Sequence, residues 1–134
     1  MIAGLISAIS LLTLVQFFIS YCQSVIAESL SHELSTDARE ISGITAGTAI
    51  GDHFARLRQL LSMCPDAGKD TNLVRAVSTY FNLLSLVRNV LAWAAPEAMQ
   101  WMQSERNGCS YVLAVVLDRR IAYNRMLMAQ QTNQ

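Results

Sequence analysis

The chain has one lysine, Lys69, two prolines and two histidines, and charged residues make up only 15% of its 134 positions. These shortages exclude several functions. The net charge is zero, so no overall field draws the chain to nucleic acid or to anionic lipid. With 52% apolar residues and a positive mean hydropathy, it is too greasy to be disordered. His32 and His53 supply too few imidazoles for a histidine-rich metal site. Glu28 and His32 stand four apart on one helix face, but two ligands do not make a zinc site, so a surface ion pair is expected there.

Phosphate loops fail for similar reasons. The Gly68–Lys69 pair is followed by Asp70, where a Walker loop needs Ser or Thr, and Met63 stands where its first glycine belongs. Three of the six glycines fall in the run GITAGTAIG, at Gly43, Gly47 and Gly51. No hydrophobic strand precedes them, so a nucleotide loop has no structural context. Steps of four set them along one helical stripe that another helix can approach closely, as in small-xxx-small contacts. The competing reading is a break or hinge, after which Asp52 starts a new helix.

Charge is missing altogether from Met1 to Ala27. About 20 apolar residues cross a bilayer core, so the sequence predicts a single transmembrane helix over 1–27. A cleaved secretory signal ending at Val25-Ile26-Ala27 is the main competitor. It is weakened by the missing basic start and by the length of the apolar run. A buried helix of a soluble bundle is the third reading. Lipidation at Cys22 is excluded by Tyr21, which stands where a small residue is needed. Ser10, Thr13, Gln16, Ser20 and Ser24 share one face of this helix, and small polar side chains in lipid gather where helices meet. Neither flank has a basic residue near the span; Arg39 is the first. The expected orientation places the bulk of the chain outside the cytoplasm.

The remainder reads as helix throughout, with apolar residues at helical spacing and no sustained alternation of strand period. The expected fold class is all-α: the transmembrane helix, a juxtamembrane stalk over 28–51 that is helical or hinged at the glycines, and an up-down-up bundle of three helices over 52–64, 71–94 and 96–130. Pro65 and the PDAGKD turn separate the first two, and Pro96 separates the last two. Leu73, Val77, Tyr80, Leu84, Val87 and Leu91 hold the apolar beat of the middle helix, widened by Val74, Phe81 and Val90. Gly108 is the weak point of the last, at about 1 kcal/mol relative to alanine.

Three further groups are candidate sites. Cys64 and Cys109 would form a disulfide if the domain faces an oxidising compartment, although a folded-back chain sets them about 15 Å out of register. Trp93, Met99, Trp101 and Met102 crowd the tip between the last two helices, as core or as a docking patch. Arg119, Arg120 and Arg125 form a small basic cluster suited to acidic residues at 28–40, to lipid head groups or to solvent. No catalytic set, cofactor motif or metal cluster stands out. The expectation is a non-enzymatic membrane protein: an accessory or assembly subunit of a membrane complex, or a self-associating scaffold. Its partners would be membrane lipid and other transmembrane helices, from a larger complex or from further copies of the chain, and not nucleic acid. A membrane-anchored sensory bundle that binds a ligand is the alternative.

Overall fold

A computed structural model describes residues 1–31, 51–64 and 70–133. The described chain is all-helical: α1 (Ile2–Leu30), α2 (Gly51–Met63), α3 (Thr71–Ala94) and α4 (Ala98–Thr132). A long apolar helix is followed by three helices, as the sequence predicts. The residues of the glycine run that precede Gly51, and the Pro65 turn, lie outside the described residues.

The break between α3 and α4 is local chemistry. Proline clashes with a helical residue before it, and Ala95 is extended at φ −153°, ψ 88°. The amide of Ala95 still donates to the Leu91 carbonyl at 2.8 Å, and two short bonds, Ala98 to Ala95 and Met99 to Pro96, close the turn. Pro96 was expected inside the next helix; it stands two residues ahead of α4.

Helix α4 is the axis of the molecule. From Gly108 to Leu117 every residue but Tyr111 is buried. Ten residues make nearly three turns, so α4 is covered on all sides here, by α1, α2 and α3. Arg120 Nη1 donates to the Leu61 carbonyl at 2.9 Å and to the Cys64 carbonyl at 3.5 Å. Leu61 is in the last turn of α2 and Cys64 just beyond its end, where carbonyls lack partners within the helix. At the other end of α2, Phe54 stacks on Phe81 with ring centroids 3.8 Å apart and an interplanar angle of 3°. The Arg106 guanidinium lies 4.8 Å from the centroid of the Phe81 ring. So α2 and α4 run the same way and α3 runs antiparallel to both: up, down, up.

Helix α1 does not end at residue 27, nor does it stand apart from the bundle. It continues to Leu30, and Cys22 and Ile26 are buried in the common core. Phe18 meets Tyr80 edge-on at 6.3 Å, and Ile26 meets α4 at Gly108. A Cβ added at Gly108 would lie 2.5 Å from Ile26 Cγ2. The glycine that weakens α4 is thus the place where α1 comes closest to it.

Candidate functional site

The first half of α1 differs from everything else in the chain. All residues from Met1 to Phe17 are exposed, and Leu5, Ile6, Ile9, Leu11, Leu12, Leu14 and Phe17 are among them. The helix is 29 residues long, about 43 Å, and long and apolar enough to cross a membrane.

The polar face of this half divides in two. Thr13 Oγ1 donates to its own helix, to the Ile9 carbonyl at 2.6 Å and the Ser10 carbonyl at 3.1 Å. It therefore needs no outside partner. The side chains of Ser10, Gln16 and Ser20 have none among the described residues. Gln16 carries two donors and two acceptor sites, more than a helix backbone can occupy.

Of the glycine stripe, Gly43 and Gly47 lie outside the described residues, and Gly51 is the first residue of α2. Asp52 therefore sits in the first turn of α2 rather than ahead of it. The tip residues separate. Met102 is 1% exposed and belongs to the core, not to a docking patch. Met99 is half-buried, while Trp101 and Trp93 are exposed. Trp93 continues a surface stripe with Leu86 and Val90 on α3. Val90, expected to widen the buried stripe, faces outward instead. The packed apolar face at this end of α3 is made by Leu84, Val87 and Leu91, about a third of a turn away.

The basic cluster also divides. Arg120 is buried and holds the end of α2, whereas Arg119 and Arg125 are exposed.

The three thiols are free. Cys64 lies beside Arg120, about 16 Å along α4 from Cys109. The neighbour of Cys109 is instead Cys22 of α1. Around this pair is a small polar group that periodicity did not single out. Tyr80 donates from its hydroxyl to Glu105 Oε2 at 3.0 Å. Burial first, then this bond and the carboxylate charge, push the Tyr80 phenol up. Burial, then Cys22 and Glu105, push the Cys109 thiol up to about 12. Such a thiol stays protonated and is a poor nucleophile. A clue was present in the sequence: Glu105 is three residues from Met102 and four from Cys109, an acid on the buried face. No group of three or more metal-ligating side chains occurs among the described residues.

The chain matches no protein-family model, no curated protein and no solved structure.

Proposed function

We propose that this protein is a single-pass membrane protein whose α1 joins it to other transmembrane helices, as an accessory or assembly subunit of a membrane complex or as a self-associating scaffold. The observation that carries the reading is the contrast within α1. Its second half is packed on α4, while its first half exposes a long apolar surface interrupted by the amide of Gln16, which has no partner among the described residues. Water is a poor solvent for that surface, and lipid a poor one for that amide. A neighbouring helix accommodates both, with Ser10 and Ser20 allowing close approach on the same face. The bulk of the chain lies outside the cytoplasm in this reading.

The test is co-purification of differently tagged copies, and of endogenous partners, from membranes in mild detergent. Gln16→Leu keeps the helix apolar and removes the amide. Loss of the partner in this variant supports the reading, and full retention by Q16L combined with S20L counts against it. A second reading, a membrane-anchored bundle that binds a small ligand, is favoured by the cleft between α2 and α3.

A further inference from the structure

The cleft between α2 and α3 holds three cavities of ≈ 450, 290 and 290 Å³, all bordered by Arg58 of α2. The largest is within the range of small-molecule sites. The cleft has two ends of different chemistry. Phe54 and Phe81 border the largest cavity and give it an aromatic wall. Towards the other end, Arg58 and Arg75 border one cavity from opposite helices, and Arg58 and Arg120 border the next.

No carboxylate borders any of the three among the described residues. Arg58 and Arg75 are exposed and have no acidic partner among the described residues. Arg75, Ser78 and Asn82 follow steps of three and four on α3, so they line one face opposite Arg58. Ser78 is the second observation. It is 8% exposed, borders the same cavity, and its Oγ has no hydrogen-bond partner among the described residues. A serine or threonine hydroxyl in a helix commonly returns to its own backbone, as those of Ser85 and Thr79 do. Leaving a buried hydroxyl unpaired in the interior is costly.

We infer that this cleft binds an organic phosphate monoester, with its phosphate held between Arg58 and Arg75, its oxygens accepting from Ser78 and Asn82, and its apolar group lying towards Phe54 and Phe81. Two guanidinium forks match a dianionic phosphate in charge and geometry. Asn82 borders both the aromatic and the basic cavity, so one ligand reaches both. The inference deepens the ligand-binding reading and is independent of helix docking by α1.

The test is calorimetric titration of the full chain, in neutral detergent, with phenyl phosphate and with inorganic phosphate. Phenyl phosphate binds at one site, and more tightly than inorganic phosphate. Because a hydrogen bond to a charged group contributes about 1.5–3 kcal/mol, R58A and R75A each weaken binding by roughly ten- to a hundredfold. Both positions are exposed, so the variants keep the wild-type melting temperature. S78A weakens binding less, without destabilising the fold. Repeating the titration in phosphatidylcholine nanodiscs with and without phosphatidic acid identifies the natural source. Competition by the lipid assigns the site to a phosphomonoester head group, and its absence assigns it to a soluble ligand. No binding of phenyl phosphate to the folded chain overturns the inference, as does equal binding by wild type and the R58A/R75A double variant. Neither result touches the partner test of Gln16.

Discussion

Helix α1 carries the longest uncharged run in the chain, yet every residue of it up to Phe17 is exposed. Helix α4 contains Glu105, Arg106, Asp118, Arg119, Arg120 and Arg125, yet it is the buried axis. Apolar content alone does not decide which helix the chain wraps around itself. What decides is whether partners exist on every side. α4 has α1, α2 and α3 around its middle, and its charges fall mainly outside Gly108–Leu117 or find a partner, as Arg120 does. The first half of α1 has no facing helix among the described residues, and its apolar surface is exposed.

The same substitution in the two helices separates these cases. Leu113 is 0% exposed and Leu12 is 68% exposed. Leu113→Ala is expected to cost about 2–5 kcal/mol in chemical denaturation, through lost burial and the cavity left behind. Leu12→Ala in detergent is expected to stay within about 0.5 kcal/mol. Equal effects would erase the distinction between the two helices.

Arg120→Met sharpens the account of α4 as an organiser. It keeps the apolar stem but leaves the Leu61 and Cys64 carbonyls without their donor. A loss of about 1–3 kcal/mol is expected, with faster amide exchange in the last turn of α2 than elsewhere. Uniform exchange would mean that the contact holds nothing in particular.

Gly108→Ala tests the join between the helices. Alanine raises helix propensity by about 1 kcal/mol, but its Cβ meets the stiff, branched Ile26 side chain. Overpacking costs about 1–3 kcal/mol, so the net change is expected to be a small destabilisation. Adding Ile26→Ala restores stability relative to the two changes taken separately. Simple additivity would place α1 elsewhere.

Alkaline pH probes the cluster beneath α1. The Cys109 thiol has an ordinary value of 9.0 and is pushed up to about 12; Tyr80 is likewise raised from 10.0. The unfolded chain therefore loses these protons first as pH rises. Stability is unaffected by them below about pH 8, and falls through pH 9–12 by up to about 1.4 kcal/mol per pH unit for each group. Melting temperatures measured between pH 8 and 11 are expected to fall less steeply in a Cys109→Ala, Tyr80→Phe variant. An identical slope would show that the groups are not held protonated by the fold.

The three-helix bundle was legible in the sequence because its boundaries are local. Pro96 and the period of α3 depend on near neighbours, and α3 covers Thr71–Ala94 as expected. The packing of α1 on α4 was not legible. A run that is apolar on every side shows no contrast between a lipid face and a protein face, so the stripe through Phe18, Cys22 and Ile26 is hidden within it. Gly108 was visible, but as a weakness rather than as a contact. Met102, open in the sequence as core or docking patch, lies in the core, while Val90 faces outward, because a broad apolar surface leaves the direction of packing open until a partner fixes it.

The central claim is that the exposed half of α1 belongs against another helix. Its most direct test is the native mass of the particle extracted in mild detergent. The account predicts a mass of at least two protein chains, whether copies of this 14.8 kDa chain or a different partner, reduced to one chain by Q16L combined with S20L. A stable particle containing a single copy of the wild-type chain, with no companion, would contradict it.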